Sequence, residues 1–227
     1  VFMGLAGAMI PAGMRGIIDW LILTEKIHCI VSTGANLFHE LHESIGFHHY
    51  KGSPYMDDTA LRKVKVDRIY DTFASDEEFI ESDRFIVNFA QEAFKREERI
   101  TTAIFFNRLG QYLKERGKTG FLVSAHEKGV PIYCPALGDS SYGIALASFS
   151  DEEIIHFDII QDVRDLGNFI IERPKTGVIY VGGGTPKNYI QQAMLVAFEH
   201  LREIKGADFD EAQKEAGGHD YAIQIST

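Results

Sequence analysis

The sequence has few cysteines and no long apolar run. Its only cysteines are Cys29 and Cys134, which is too few for a disulfide framework or a cysteine-rich metal site. Both lie among apolar residues, so we expect buried free thiols, as in proteins of the reducing cytoplasm. A membrane-spanning helix needs about 18 uninterrupted apolar residues, and no segment approaches that length, so we expect no membrane association.

The sequence also lacks an excess of basic residues and the common cofactor motifs. It has 33 acidic against 23 basic side chains, a formal charge of -10, which is a poor match for nucleic acid but compatible with a cationic ligand. Neither GxGxxG nor HExxH occurs. His39, His42 and Glu43 could share one helical face, but the chain offers no further ligand cluster, and we expect no metal.

Both ends of the chain consist of apolar, strand-like residues. We therefore expect a piece of a longer polypeptide, forming one α/β domain over residues 1–227. Val1 is not preceded by Met or a charged stretch, so the start does not resemble a signal peptide. Residues 48–78 are polar and rich in Tyr, Asp and Lys. This segment is predicted to be an excursion or lid within the domain.

Short apolar runs alternate with amphipathic stretches along the chain. This pattern predicts right-handed βαβ units, and hence a Rossmann-like parallel sheet with helices on both faces. Strands are predicted at 1–5, 29–31, 130–134, 155–159, 178–181 and 221–227. Helices are predicted at about 12–23, from 37 onward, at 85–98, 101–116 and 162–171, and from the glycines at 182–184 to about 202.

Small and polar residues follow several of these strands, where parallel sheets bind ligands. Gly182–Gly184 lies between a strand and a helix, which suits either a tight turn or close approach of a ligand to the backbone. Thr33–Asn36 offers a helix cap or a binding loop, and Asp139–Ser141 offers a cap or a ribose-binding carboxylate. Lys187 lies in a helix's first turn, where the helix dipole disfavours a cation, so it is solvated, paired or functional.

Five segments, in this order, resemble the successive signatures of the deoxyhypusine synthase family: VFMGLAGAMIPAGMR, IVSTGANLFHELHE, PIYCPALGDSSYG, IYVGGGTPKNYI and DYAIQIST. The resemblance implies NAD as cofactor and oxidation of spermidine, a polyamine. The aminobutyl group then passes through an imine on an enzyme lysine, beyond residue 227, to a translation-factor lysine. It also implies a homotetramer with active sites between subunits. The cofactor residues it implies are Gly7, Ala8, Met9, Ile10, Pro11, Thr33, Gly34, Ala35, Asp139, Gly183 and Thr227.

The resemblance also implies positions for catalysis and polyamine binding. Lys187 matches a lysine beside the active site, and Asn188 stands where the family has a histidine. Because an asparagine is no general base, this position departs from the family pattern. Acidic polyamine contacts are replaced by Phe38 or His39 and by Ile144. The implied substrate-binding positions are Phe38, His39, Ile144, Asn188, Gln192 and Gln224.

Three readings follow from the retained cofactor positions and the altered polyamine positions. The first is a deoxyhypusine synthase that modifies a protein lysine. The second is a homospermidine synthase-like enzyme whose acceptor is a small amine. The third is a catalytically weakened homologue that binds NAD. An unrelated Rossmann oxidoreductase has little support, because GxGxxG is absent.

Overall fold

The computed structural model describes residues 1–96, 98–148 and 155–226. A five-stranded parallel sheet lies at its centre, in the order β10-β9-β1-β2-β7. Its strands are β1 (Phe2–Leu5), β2 (Cys29–Ser32), β7 (Ile132–Tyr133), β9 (Gly177–Val181) and β10 (Tyr221–Ile225). The smaller strands are β3 (Tyr50–Lys51), β4 (Val66–Ile69), β5 (Thr72–Ser75), β6 (Glu98–Ile100) and β8 (Ile155–Phe157).

Helices cover both faces of the sheet, which confirms the predicted fold class. Alternate residues of one strand point to opposite faces: Met3 joins the core beneath the helices of residues 15–148, whereas Phe2 packs against the helices of residues 159–216. The first group is α1 (Arg15–Leu23), α2 (Gly34–Ile45), α4 (Asp76–Ala93), α5 (Thr102–Glu115), α6 (Phe121–Lys128) and α7 (Ser141–Ser148), whereas α3 (Asp58–Lys63) lies beside β4. The second group is α8 (Ile159–Ile171), α9 (Gly184–Glu203) and α10 (Phe209–Ala216).

Several predicted boundaries are wrong. The helix predicted at 85–98 is α4, which begins nine residues earlier because the Ser75 side chain accepts the Glu78 N–H at its start. Glu98–Ile100 is instead β6, which pairs in parallel with β8. The strand predicted to reach Ile159 ends at Phe157, since Asp158 caps α8. The strand predicted at 130–134 is confined to Ile132–Tyr133.

The starts of the first two helices also differ from the prediction. α2 begins at Gly34, three residues before the predicted start. The helix predicted from residue 12 begins as a π-helical turn over Ile10–Met14, and regular α-helix starts only at Arg15. Within that turn Gly13 has φ +90°, a conformation that glycine adopts without steric cost.

The polar segment 48–78, called here the excursion, has secondary structure of its own. β3, β5 and β4 form a small antiparallel sheet beside α3, and the segment's last residues begin α4. The excursion packs on the rest of the domain through residues that include Thr72 and His49. Thr72 Oγ1 donates a hydrogen bond to the Pro11 carbonyl (3.2 Å), and His49 contacts His39 on α2. Whether it acts as a lid stays a prediction.

Both cysteines are buried free thiols, as predicted. Burial raises the pKa of the Cys134 thiol to about 12, so it stays protonated at neutral pH. Among the described residues, none of the helices has the length and apolar character needed to cross a bilayer.

Candidate functional site at the carboxyl edge of the sheet

The strand order identifies where a ligand would bind. From β1 the chain continues to β2 and β7 on one side, whereas β9 and β10 lie on the other. The order therefore reverses beside β1, and parallel sheets bind ligands at the carboxyl ends of the strands at such a switch point. The loops on its two sides begin at Ala6 and at Gly182. They touch, since a Cβ on Gly182 would lie 3.1 Å from that of Ala6.

Asn36 fastens the loop after β1 to the first turn of α2. Its side-chain oxygen accepts hydrogen bonds from the backbone N–H groups of Met9 (2.6 Å) and Ile10 (3.3 Å). Its side-chain nitrogen donates to Thr33 Oγ1 (2.9 Å), which in turn donates to the Gly7 carbonyl (2.7 Å). The loop of residues 7–11 is therefore held against Thr33, as expected if both contact one ligand.

The loop after β7 lies against the start of α2. A Cβ on Gly34 would lie 2.2 Å from the Ser140 Cβ, so glycine is what allows this approach. Asp139, the predicted ribose ligand, is exposed beside it. The structure thus brings Thr33, Gly34 and Asp139 together along the same edge.

Lys187 and Gln224 meet on the other side of the switch point. Lys187 Nζ donates a hydrogen bond of 2.6 Å to Gln224 Oε1, and Gln224 Nε2 donates one of 3.1 Å to the Gly182 carbonyl. Gly182 and Gly184 have φ of +77° and +59°, and a Cβ on Gly184 would meet no atom within 4 Å. The glycine turn is therefore open to a ligand, and Lys187 is paired despite the helix dipole.

A largely buried ion pair joins the helices that follow β1 and β2. Arg15 Nε donates to Glu40 Oε2 (2.8 Å), and Arg15 Nη2 donates to Ser44 Oγ (3.0 Å) and to the Thr119 carbonyl (2.7 Å). Burial raises the pKa of Glu40 to about 7, and the Arg15 charge opposes that rise. The pair ties the start of α1 to α2 and to the turn before α6.

Predicted substrate positions occupy different surroundings. Phe38 is 3% exposed and packs on Phe79, whereas Ile144 is 58% exposed. Asn188 is exposed on α9. Gln192 lines a cavity of about 260 Å³ between α8 and α9, together with Val163, Tyr189, Ala193, Leu195 and Val196. Thr227, predicted to bind the cofactor, lies outside the described residues.

Three imidazoles cluster where the excursion meets α2. The ring centroids of His39 and His49 are 4.8 Å apart, and those of His42 and His49 are 5.1 Å apart. Burial, reinforced by the neighbouring imidazoles, lowers the pKa of His39 to about 3. The described part of the chain contains no group of three or more His, Cys, Asp or Glu residues arranged to hold a metal ion.

Sequence reasoning missed the residues that organise this edge. The sequence indicates only a cap or loop at Asn36, although its side chain has hydrogen-bond partners at four residues of segment 5–10 and at Thr33. Ser140 belongs to the predicted Asp139–Ser141 motif, but the sequence does not indicate its contact with Gly34, nor that of His49 with His39. A buried asparagine is recognisable only once its partners are known, because its sequence context is that of an ordinary turn.

The fold and this edge define a Rossmann-like α/β protein with a candidate ligand site at its strand ends. A family model described as deoxyhypusine synthase matches residues 1–227. A "Probable deoxyhypusine synthase 2" of Methanosarcina acetivorans is 46% identical over the whole chain, which spans 63% of that relative's length. One from Archaeoglobus fulgidus is 43% identical over the whole chain and 70% of its own length. The chain belongs to the deoxyhypusine synthase family.

More distant relatives agree. A "Deoxyhypusine synthase-like protein" of Chlorobaculum tepidum is 34% identical over the whole chain and 63% of its own length. The crystal structure of a "putative deoxyhypusine synthase" from Entamoeba histolytica superposes with a TM-score of 0.64 at 20% identity, covering 81% of this chain and 57% of that one. This structural likeness shows the fold. The chain spans roughly two thirds of the length of the curated relatives.

Proposed function

We propose that the protein containing this chain is an NAD-dependent transferase that oxidises spermidine or a related polyamine and passes on the aminobutyl group. The observation that carries the proposal is the row of loops at the switch point, in a member of the deoxyhypusine synthase family. The first candidate acceptor is a translation-factor lysine.

The residues at this edge fit a dinucleotide. Gly184 leaves space above the backbone, since an added Cβ would meet no atom within 4 Å, and the first turn of α9 presents N–H groups suited to a pyrophosphate. The exposed carboxylate of Asp139 suits ribose hydroxyls. When bound, NAD would supply the hydride acceptor. Gly7, Ala8, Met9, Ile10, Pro11, Thr33, Gly34, Ala35, Gly183 and Thr227 remain the other proposed cofactor contacts.

The chain's own residues would then bind and orient the polyamine. Lys187 is the proposed catalytic residue on α9, held by Gln224 at the entrance to the glycine turn. Asn188, the other position implied for catalysis, can donate or accept a hydrogen bond but cannot take a proton. Ile144, Gln192 and Gln224 are the accessible substrate positions, whereas Phe38 and His39 are buried, and Phe38 would act through packing.

A small amine is the second candidate acceptor. The observation that favours it is the exposed, apolar Ile144 at a position where the family has a carboxylate for the polyamine. A charge-assisted contact of about 1.5–3 kcal/mol is thereby lost. A different amine geometry or acceptor is consistent with that loss.

We also propose assembly into a cytoplasmic homotetramer with active sites between subunits. Leu195 on α9, Ile204 directly after α9 and Ile223 on β10 are large, apolar and exposed, as expected of surfaces that contact another subunit. The oligomeric state is measured directly by light scattering of the full-length protein.

One incubation tests the reaction. Full-length protein is mixed with NAD and spermidine, with and without putrescine and with and without a translation factor, and NADH and aminobutyl products are measured. We expect NADH and a borohydride-trapped aminobutyl enzyme. Homospermidine formed without any protein acceptor would favour the small-amine reading. If neither NADH nor a trapped adduct forms, the transferase proposal is wrong.

A further inference from the structure

A chain of hydrogen bonds connects a carboxylate to two imidazoles between α2 and the excursion. His49 Nδ1 lies 2.7 Å from Glu43 Oε1, and His49 Nε2 lies 2.9 Å from His39 Nδ1. His39 is 7% exposed. Most of this series of hydrogen bonds is therefore shielded from water, and His39 Nε2 is its last nitrogen.

With His49 neutral, the hydrogen bonds define the tautomer of both rings. Burial by itself would raise the pKa of Glu43, but the hydrogen bond from His49 and the nearby Arg15 hold it below its usual range. Glu43 is thus a carboxylate, which can only accept, so His49 Nδ1 donates. His49 Nε2 then carries a lone pair and accepts from His39 Nδ1–H. The remaining nitrogen of neutral His39, Nε2, presents a lone pair.

Helix geometry puts His39 beside the loop of residues 7–11. Asn36 and His39 are three residues apart on α2, so their Cβ atoms are about 5–6 Å apart on the same face. The Asn36 side chain accepts hydrogen bonds from Met9 and Ile10 of that loop. From the opposite side Thr72 of the excursion donates to the Pro11 carbonyl. His39 therefore lies next to the proposed cofactor loop, beneath the excursion.

His42, Glu78 and Arg15 also lie close to the hydrogen-bonded series of Glu43, His49 and His39. His42 Nδ1 is 3.0 Å from Ser82 Oγ, and His42 Nε2 faces Glu78 Oε2 at 3.6 Å. Arg15 Nε lies 3.6 Å from Glu43 Oε2 and is hydrogen-bonded to Glu40. Arg15 thus helps to keep Glu43 ionised without occupying the oxygen that His49 uses.

We propose that His39 Nε2 is the base that takes a proton from the substrate ammonium group, with His49 and Glu43 as positioning residues. This inference rests on the proposed function and supplies the base that Asn188 cannot be. The substrate nitrogen loses its proton to His39 Nε2 and keeps the electron pair. The Nδ1 proton of His39 then moves to His49 Nε2, so the positive charge ends on His49, paired with the Glu43 carboxylate.

The first test needs no turnover. In nitrogen NMR spectra of the full-length protein at neutral pH, we expect His39 and His49 to be neutral with the proton on Nδ1. A proton on Nε2 of His39 would overturn the proposal, whatever substrate the enzyme uses. The spectra of His39→Asn and His48→Asn assign the signals. His48 is the control, because it is exposed and next to His49 in the sequence.

The second test separates a base from a structural residue. With NAD and spermidine, we expect His39→Asn to lower kcat by about 10²–10³-fold, within the range of general base catalysis, with KM changed little. Added imidazole should restore turnover to His39→Ala, and His48→Asn should match wild type. Unchanged kcat in folded His39→Asn would contradict the inference. Absence of wild-type turnover would contradict the proposed function and leave the NMR test standing.

Glu43→Gln tests the positioning role. Loss of the carboxylate removes the charge that stabilises a protonated His49, so the pair becomes less basic. We expect a lower maximal kcat and an acidic limb of the pH profile displaced to lower pH. An unshifted limb would show that Glu43 does not act through the imidazoles.

Discussion

Lys187 Nζ and Gln224 Oε1 lie 2.6 Å apart, joining the first turn of α9 to β10 across the glycine turn. The two residues are 37 positions apart in the chain, and each was predicted separately to belong to the site. Their contact places a cation at the proposed cofactor edge, held by a neutral amide rather than by a carboxylate. The amide does not neutralise the Lys187 cation, which can therefore attract an anionic ligand.

Lys187→Met should remove function while leaving the fold intact. The side chain is only partly buried, so we expect the unfolding free energy to change by no more than about 0.5 kcal/mol. Loss of a hydrogen bond from a charged group, about 1.5–3 kcal/mol, should reduce kcat/KM by roughly 10- to 100-fold. Lys175→Met, an exposed lysine beyond the opposite end of β9, is the control. Unchanged turnover would remove Lys187 from the site.

Gly34→Ala should separate α2 from the loop after β7. The new Cβ would overlap the Ser140 side chain, and we expect a loss of about 1–3 kcal/mol in urea unfolding. Adding Ser140→Gly should restore much of that loss, because the obstructing atoms are gone. Gly16→Ala is the control, since its Cβ would meet nothing within 4 Å. Strictly additive effects of the two substitutions would argue against this contact.

Arg15→Met should destabilise the domain more at pH 8 than at pH 5. It leaves Glu40 without its cation, and breaking a buried pair costs about 3–5 kcal/mol when the remaining group is charged. The pKa of Glu40 is already about 7 because of burial, so at pH 5 the carboxyl is protonated and no unpaired charge remains. Urea unfolding at both pH values measures the difference, and Glu40→Gln in the same background should abolish its pH dependence.

Acidification should weaken the histidine cluster. Burial, followed by the nearby imidazoles, lowers the pKa of His39 to about 3 and that of His42 to about 4, from 6.5. The unfolded chain then binds more protons below pH 6.5, so this contribution is present at pH 7 and is lost as pH falls. At pH 5 the loss is up to about 2 kcal/mol per histidine.

Glu40 has the opposite effect, because its raised pKa makes the folded state more stable as the pH falls from 7 to 4.5. A comparison of variants separates the two effects. The double variant His39→Gln/His42→Gln should lose less stability than wild type between pH 7 and pH 5. His48→Gln should behave as wild type. Equal slopes for all three proteins would show that the cluster does not titrate with folding.

Much of the sheet could be predicted, because its strands are short apolar runs that end in glycine or hydroxyl residues. β1, β2 and β9 are recognisable in this way, and their order in the sheet places Gly7, Thr33 and Gly183 at one edge. β6 could not be found, since it has three residues and pairs only with β8, whereas β8 is predicted two residues too long. Local propensity carries no information about such a partner.

The sequence predicts which loops form the candidate site, but not the hydrogen bonds that join them. Hydrogen bonds between Asn36 and residues 5–10 span 26 to 31 positions, and those of His49 reach α2 from the excursion. These contacts depend on tertiary packing, which periodicity does not reveal. A lone histidine in a polar segment is typical of a surface residue, and its burial follows only from the fold.

The central position of β1 has a consequence for how the chain folds. β1 pairs with β2 about 27 residues away, but with β9 about 176 residues away. During synthesis β1, β2 and β7 emerge first, and the second edge of β1 stays unpaired until β9 follows. An unpaired apolar strand edge can pair with other chains. We therefore expect aggregation and chaperone binding to occur mainly before β9 joins the sheet. Late closure of such a distant pair also makes folding slow.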